Sequence, residues 1–312
     1  MKYSLNKLYE TAGLSKQAVH KQQIKEEEFQ RKLSTLIIEA DILRSEHPGC
    51  GVEKMYYTLK PDFIGRDKFV DIFINMGFRI KRKKNYQRTT IPTHFRYPNL
   101  IEGLLINQAN QLWQSDITYI RVGNNFYYLT FIIDVYTRMI VGYQVSRNLR
   151  AEANLKALRM AIRLRSGISL KGLIHHSDRG SQYCDKEYIG LLKNEGIEIS
   201  MGEKAQSNAY AERINGIIKN EYLSYKNIDT FPKLKLETRK AVRHYNKIRI
   251  HGSLPGKISP IEFEKSLLNL NSSKNLGMVI YSEGNNKIKS TYGQLDLTNK
   301  NGNYVCPILI SS

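Results

Sequence analysis

The sequence predicts an α/β protein in which a mixed sheet with flanking helices follows an all-α region. Three observations predict this class. Residues 1–88 show apolar side chains at helical spacing, whereas three strand-like segments begin at residue 112. Beyond residue 150, helical and strand-like segments alternate, which is typical of strands joined by helical crossovers. The chain of 312 residues is long enough for two or three domains.

Two helical modules are predicted before the sheet, in residues 1–45 and 46–88. Residues 5–20 read as a short helix, a turn at Gly13 and a helix capped by Ser15, which is a helix-turn-helix outline. A helical hairpin without a DNA-binding role fits the same residues. A longer helix is expected over residues 26–45. In the second module, residues 66–76 are predicted as a helix that ends at Gly77.

A basic linker is predicted at the end of the second module. Residues 79–88 carry six positive charges, no negative charge and one aromatic side chain. Such a run favours contact with phosphates, and we name Arg82, Lys83 and Lys84 as candidate nucleic-acid ligands. A solvated tail is the alternative.

The sheet elements follow in order from residue 112. Residues 112–120 alternate, with Gln114, Asp116 and Thr118 on one face. Further strands are predicted at residues 126–134, 139–145, 173–176 and 197–200, and helices at 151–165, 186–194 and 208–223. Three antiparallel strands followed by alternating helix and strand are the layout of a ribonuclease-H-like fold, which we assign to residues 105–262. Residues 263–312 are expected to form short strands or a loose tail, with no role assigned.

The composition favours a polyanionic partner. Lys and Arg outnumber Asp and Glu by 48 to 29, which gives a net charge of +19. Nucleic acid is the usual partner of such a protein, and an anionic membrane is the alternative. No apolar run approaches the ~20 residues of a membrane span, and no signal peptide is apparent, so we expect a soluble cytoplasmic protein. The three isolated cysteines predict neither disulfides nor a cysteine-rich zinc site.

Three carboxylates are the candidate catalytic residues. Asp116 lies within a predicted strand, Asp178 directly after a short apolar strand, and Glu212 on a predicted helix. Each alone has an ordinary interpretation, as a salt-bridged residue, a turn former before Gly180 or a solvated helix position. Together they supply the hard oxygen ligands that two magnesium ions need for phosphodiester chemistry. Asn215 and Lys219 are predicted on the face of Glu212, where they would contact DNA.

Rival ligands lie near these carboxylates. His175 and His176 invite a zinc hypothesis, but the sequence lacks the usual companion ligands, so a structural role is favoured. Asp134 is predicted to cap the turn that follows its strand. Glu152 fits the first turn of its helix, where acidic residues are stabilising.

Four motifs together resemble a known family. The matching residues are Trp113 and Asp116 to Tyr119, then His176 to Tyr183, then Ser200, Met201, Asn208, Ala209, Glu212 and Lys219, and finally Tyr245, Asn246, Arg249, His251, Ser253, Leu254 and Pro260. They resemble the DDE transposases that share the retroviral integrase fold, and within them the OrfB-type transposases of the insertion sequence three family. The resemblance covers about residues 1–262. In one departure, the loop of residues 202–207 is about two residues shorter than the family's and lacks its Asp-Asn pair.

The resemblance implies a function. It implies strand nicking at the ends of a mobile element, followed by attack of the 3′-hydroxyl on another phosphodiester. Two Mg²⁺ ions (or Mn²⁺) are implied, with Asp116 contacting both and Asp178 and Glu212 one each. The implied partners are terminal repeats, target DNA, further copies of the chain as a dimer or higher oligomer, and a DNA-binding protein from an upstream reading frame. The implied location is the bacterial nucleoid.

The resemblance also leaves roles and alternatives open. Arg249 and His251 are expected either to brace the core or to contact DNA. A DNA-binding protein from a decayed element, which holds the repeats without cutting, and a hydrolytic ribonuclease-H-like nuclease are the two alternative functions.

Overall fold

The computed structural model of the chain describes residues 9, 11, 13, 15–80, 97–202, 208–268 and 277–280. The chain divides into two compact units, residues 1–81 and 82–312. We call them the helical unit and the sheet unit. Arg82, Lys83 and Lys84, and almost all of the predicted basic linker, lie outside the described residues.

The helical unit contains helices α1 (Lys16–Glu46), α2 (Val52–Leu59) and α3 (Arg66–Asn75). Ser15 caps α1 as predicted, since its hydroxyl accepts the Ala18 N–H at 3.1 Å. The prediction of two separate helices in this stretch was wrong. No glycine or proline interrupts residues 16–46, so the helix that starts at the cap continues to Glu46. The first predicted helix of the helix-turn-helix outline lies largely outside the described residues.

One core serves all three helices of this unit. Leu36 and Leu43 of α1 pack with Met55 of α2 and with Phe69 and Phe73 of α3. The predicted division between residues 45 and 46 therefore does not separate two cores. The end of α3 is as predicted, because Gly77 adopts the left-handed conformation (φ +87°) that residues with a Cβ disfavour.

The sheet unit is built on a five-stranded mixed sheet. Its strands are β2 (Leu112–Val122), β3 (Asn125–Asp134), β4 (Ile140–Ser146), β5 (Ile174–Ser177) and β6 (Glu198–Met201), after a short β1 (Leu105–Ile106). The order across the sheet is β4-β3-β2-β5-β6. Strands β2, β3 and β4 are antiparallel, and β5 and β6 run parallel to β2. The predicted ribonuclease-H-like fold class is confirmed.

Two hydrophobic cores cover the two faces of this sheet. Helices α4 (Ala151–Leu164) and α5 (Lys186–Asn194) contribute to one core, and α6 (Ala209–Ile217) and α7 (Phe231–Lys247) to the other. Strand β3 supplies Ile132 to the first core and Phe131 and Ile133 to the second. Its burial on both faces explains why its sequence is almost continuously apolar. None of the described helices combines the length and the hydropathy needed to cross a membrane.

The predicted helix over residues 208–223 is not uniform. Regular α6 ends at Ile217, and the chain continues as a π-helical turn, Ile218–Tyr222, and a 3₁₀ turn, Leu223–Tyr225. A π-helical turn accommodates one more residue per turn than periodicity assumes, so residues after it face a different direction than 100° steps predict.

The predicted boundary at residue 262 was wrong. Helix α8 (Pro260–Leu268) crosses it, and Phe263 is buried against Tyr136. Farther along the chain, strand β7 (Met278–Val279) pairs antiparallel with β1, and Met278 is buried in the same core. Part of the predicted tail therefore belongs to the sheet unit. Residues 269–276 and 281–312 lie outside the described residues.

Candidate active site

Strand β2 and helix α6 with its π-helical turn form one side of the candidate site. Asn215 donates from Nδ2 to Asp116 Oδ2 at 2.7 Å, and Lys219 donates from Nζ to Thr118 Oγ1 at 3.2 Å. Two residues of a strand advance about 6.6 Å and four residues of a helix about 6 Å, so alternate strand residues can meet every fourth helix residue. The carboxylate of Asp116 is held in this matched ladder.

Gln114, which lies two residues before Asp116 on β2, fixes the start of α6. Gln114 Oε1 accepts the backbone N–H groups of Tyr210 at 3.1 Å and Ala211 at 3.4 Å. These are among the amides at a helix start that have no partner within the helix. Asn208 Nδ2 also donates to the Ser115 carbonyl at 2.9 Å. These contacts set the position of Glu212 in the first turn relative to β2.

The loop after β5 positions Asp178. The Gly180 N–H donates to Asp178 Oδ1 at 3.0 Å, so the predicted turn is present. A Cβ at Gly180 would lie 2.9 Å from Gln182 Oε1 and 3.0 Å from Asp178 Oδ1, so a larger residue here would displace the ends of these two side chains. The buried hydroxyl of Tyr183 lies 3.0 Å from Ser115 Oγ. That contact ties the Asp178 loop to the strand of Asp116.

The three candidate carboxylates interact electrostatically. Asp116 is partly exposed, yet desolvation, the charge of Asp178 and then that of Glu212 raise its pKa to about 8, against hydrogen bonds from the Ile117 backbone and Asn215 that lower it. Glu212 keeps access to solvent, and partial burial followed by the Asp178 charge raises its pKa as well. The fold therefore gathers three negative groups whose mutual repulsion disfavours ionisation.

These carboxylates do not form a closed ligand set as they stand. In the part of the chain that the structure describes, no three His, Cys, Asp or Glu side chains lie close enough together to hold one ion. Like charges in a partly desolvated site repel one another, and a cation between them would oppose that repulsion.

The two neighbouring histidines form hydrogen bonds within the core. His175 Nε2 lies 2.9 Å from the Tyr188 hydroxyl, and His176 Nδ1 lies 2.8 Å from Ser200 Oγ. Desolvation lowers the pKa of His175 to about 4 and that of His176 to about 3, so both rings are neutral near pH 7. Both contacts are those of structural residues that link β5 to its neighbours.

Asp134 and Glu152, the rival carboxylates, have the local roles that the sequence predicted. Asp134 is fully buried and accepts the Thr137 N–H at 2.9 Å and the Asn110 N–H at 2.6 Å. Glu152 lies in the first turn of α4 and pairs with Lys156 at 2.6 Å on the surface.

The positions of Arg249 and His251 match the first of their two expected roles, which is to brace the core. Arg249 is buried and donates from Nε and Nη2 to the two oxygens of Glu221, at 2.8 and 2.9 Å. His251 is also buried, with Nε2 3.1 Å from Arg249 Nη1. Neither side chain is presented to a ligand on the surface, because the ion pair draws the guanidinium into the core.

Asn215 and Lys219 both contact residues of β2, and their predicted contacts with DNA stay predictions. Asn215 is buried and donates to Asp116, whereas Glu212 on the same helix is exposed. Lys219 is half-buried, with Nζ 4.9 Å from the Tyr119 ring centroid. Gln114 and Thr118 were not assigned to the site, although the matched spacings of β2 and α6 are visible in the sequence.

Comparison with known proteins gives the family. Two protein-family models, both described as integrase core domain, match residues 106–207 and 195–260. An uncharacterized 31 kDa protein of insertion element IS600 from Shigella sonnei is 36% identical over 208 residues, 65% of this chain and 75% of that protein. The candidate transposase of element IS986/IS6110 from Mycobacterium tuberculosis is 32% identical over 228 residues, 69% of this chain and 81% of that protein. Transposase InsF of insertion sequence IS3A from Escherichia coli is 29% identical over 198 residues, which are 62% of this chain and 68% of that protein.

The chain belongs to the IS3-type DDE transposases. The function of this family is DNA transposition and integration, and DDE cores generally use divalent metal ions. Among solved structures, the HTLV-2 integrase catalytic core domain in complex with magnesium (trimeric form) matches 53% of this chain and 99% of its own at 21% identity and a TM-score of 0.41. A simian T-cell lymphotropic virus intasome in complex with PP2A regulatory subunit B56 gamma matches 71% of this chain and 73% of its own, at 18% identity and a TM-score of 0.43.

Proposed function

We propose that this transposase nicks DNA at the ends of its element and joins the resulting 3′-hydroxyl to a second DNA strand, with Asp116, Asp178 and Glu212 as catalytic residues. One observation carries the proposal. Asp116 is reachable, and desolvation together with the charges of Asp178 and then Glu212 raises its pKa to about 8. Repulsion between desolvated carboxylates reduces the stability of the fold. Carboxylates with strongly perturbed pKa values cluster at functional sites.

The donor set fits a pair of Mg²⁺ or Mn²⁺ ions. All three side chains offer hard carboxylate oxygens, and their mutual repulsion would be relieved by cations. Asp116 would contact both ions, and Asp178 and Glu212 would hold one each. When bound, the ions would supply activation of the attacking oxygen and stabilisation of the leaving oxygen.

The side chains around the carboxylates have positioning roles. Asn215 holds Oδ2 of Asp116 and so fixes the orientation of that carboxylate. Gln114 fixes the first turn of α6, which carries Glu212. The Lys219 ammonium, half-buried beside Thr118, offers a positive charge for a DNA phosphate next to the reacting strand.

The proposed partners are the element's terminal repeats, the target DNA and other copies of this chain. Joining two element ends requires that both be held at once, so we propose a dimer or a higher oligomer. An upstream-frame DNA-binding protein is a further proposed partner.

The test is incubation of the full chain with duplexes that carry the element's own ends, in Mg²⁺ or Mn²⁺, with and without the upstream-frame protein. Nicked and joined products are separated on denaturing gels. Joined products that disappear on adding EDTA would support the proposal. Binding without any nick would indicate the decayed-element alternative, and nicking without joining would indicate a simple nuclease.

A further inference from the structure

Helix α7 presents a line of cations to solvent. Lys235, Arg239, Arg243 and Lys247 are all exposed and follow one another at intervals of four residues. Side chains at this spacing lie above one another on the same side of a helix. The opposite side packs into the core and includes Leu234, Ala241 and Tyr245. We call the four cations the α7 stripe.

Folding alone does not explain the α7 stripe. Like charges four residues apart destabilise a helix, and the stripe contains three such pairs in succession. The one acidic residue of α7, Glu237, pairs with Lys240 instead. Within the described ranges, none of the four stripe cations forms an ion pair. Arg147, exposed and 4.7 Å from the Phe231 ring centroid, adds a fifth cation near the start of the helix.

We propose that the α7 stripe binds the sugar–phosphate backbone of a DNA duplex independently of its sequence. The proposal rests on the DNA-joining function proposed above. A row of exposed cations without carboxylates matches the regular negative charge of a duplex. An anionic membrane fits less well, because the apolar side of α7 is already buried and cannot insert into lipid. Two copies packed stripe to stripe would bring like charges together.

The test compares two variants that each lose four positive charges. One carries Lys235→Gln, Arg239→Gln, Arg243→Gln and Lys247→Gln. The matched control carries Arg159→Gln, Arg163→Gln, Lys186→Gln and Lys193→Gln, all exposed on α4 and α5, which belong to the core on the other face of the sheet. Affinity is measured by fluorescence anisotropy over a range of salt, for an element-end duplex and an unrelated duplex, in EDTA so that strand cleavage does not contribute.

The stripe variant is expected to lose about tenfold or more in affinity for both duplexes, with a salt slope lower by about one for each lost phosphate contact. Its melting temperature should match or exceed that of the parent, because like-charge pairs have been removed. A salt slope equal to the control's would overturn the proposal. Loss of binding to vesicles of anionic phospholipid, with DNA binding intact, would also overturn it. Binding is measured without metal, so the affinity result does not depend on whether the protein joins DNA strands. A failure of the proposed joining reaction can therefore be told apart from a failure of this proposal.

A different observation concerns Tyr245 and Arg249, at and just after the end of α7. They connect to both ends of the segment that carries Glu212 and Lys219, through Arg138 at the first end and directly at the second. At the first turn of α6, the Arg138 guanidinium lies 4.2 Å from the Tyr210 ring centroid, and the Tyr245 hydroxyl donates to the Arg138 carbonyl at 2.9 Å. At the other end, Arg249 forms its two-bonded ion pair with Glu221 inside the π-helical turn.

Glu221 lies two residues after Lys219 in that same turn. The Arg249 guanidinium engages both carboxylate oxygens of Glu221, and it is itself buried next to His251. Fork-to-fork pairing of this kind fixes direction as well as distance. We infer that Arg249 is a positioning residue that acts through Glu221 to hold the turn in which Lys219 reaches Thr118.

A double-mutant cycle tests this inference once the parent protein joins DNA. The variants are Arg249→Lys, Lys219→Ala and the pair, and Arg165→Lys provides the matched control. Arg165 is also buried and also pairs with a glutamate, Glu264, but on α8. Melting temperature and DNA affinity are followed beside the joining rate.

We expect Arg249→Lys to slow joining about tenfold with little change in DNA affinity, and to add little in the Lys219→Ala background. The Arg165→Lys effect should be the same in both backgrounds, because distant, independent sites are additive. Additive effects of Arg249→Lys and Lys219→Ala would show a merely structural role and overturn the inference, as would a full joining rate in Arg249→Lys. An inactive parent would instead count against the proposed function.

Discussion

Asp116 and Asp134 lie on neighbouring antiparallel strands, yet their surroundings are opposite. Asp134 has no exposed surface, and each of its oxygens accepts a backbone N–H. Asp116 is partly exposed and receives one side-chain amide bond, while two other carboxylates act against its charge. The first carboxylate is satisfied by the fold. The second is left reachable and in need of positive charge, which is the difference between a structural and a functional acid.

Replacing the functional acids should give the largest effect. Asp116→Asn, Asp178→Asn and Glu212→Gln each keep the shape and remove a ligand charge. We expect DNA joining to fall at least about a thousandfold, which corresponds to several kcal/mol of transition-state stabilisation. DNA affinity should be retained. The measurement is the single-turnover joining rate in Mg²⁺, and any one variant with parental activity would remove that residue from the assignment.

The same change at the structural acid should act on stability instead. Asp134→Asn places an NH₂ group against backbone N–H donors, so we expect a loss of about 2 kcal/mol. In a domain of this size that lowers the melting temperature by about 6 °C. Asp116→Asn is the control, and its melting temperature should be unchanged or higher because like-charge repulsion is relieved. Equal destabilisation by the two substitutions would contradict the comparison.

The pH dependence of stability should report the opposed charge of Asp116. Burial raises the pKa of Asp134 as well, so both carboxylates act in the same direction and the Asp116→Asn variant is needed to isolate the first. The folded-state pKa of Asp116, about 8, lies above its ordinary value of 3.8. The folded protein therefore holds a proton that the unfolded chain releases, so this residue's contribution falls as pH rises from about 4 to about 8. In EDTA, the melting temperature of Asp116→Asn should exceed that of the parent by a margin that grows from pH 5 to pH 8. A constant margin would indicate that the Asp116 charge is not opposed in the fold.

The smallest effect is expected at Glu152, the exposed rival. Its surface pair with Lys156 spans one helical turn, and such pairs contribute little. Glu152→Gln should leave both joining rate and melting temperature at the parental level. A loss of joining here would show that a fourth carboxylate takes part in the reaction.

Much of the fold was predictable because it depends on local patterns. Alternation located β2, continuous apolar character located β3, and Gly123, with φ +58°, supplied the hairpin turn between them. The helix α5 has the predicted bounds. These features follow from residues close together in the chain, where period and turn chemistry are visible.

The remaining elements depend on contacts that are distant in sequence. Nothing local shows that β1 pairs with β7, since two-residue strands have no recognisable period. The π-helical turn after Ile217 is likewise not predicted when each residue is assumed to turn 100° about the helix axis. In the site, the three carboxylates were assigned to the right elements, but the burial of Asn215 and of the Arg249–Glu221 pair required knowing which faces meet.

The pairing of β1 with β7 has a practical consequence for anyone who trims this protein. Ending the chain at residue 260, where the family match stops, would delete Phe263 and Met278 and remove the cover from Tyr136 and Ile106. The shortened protein would expose apolar surface together with the unpaired edge of a strand, and both favour aggregation. Expression of an isolated core should therefore extend at least through Ile280.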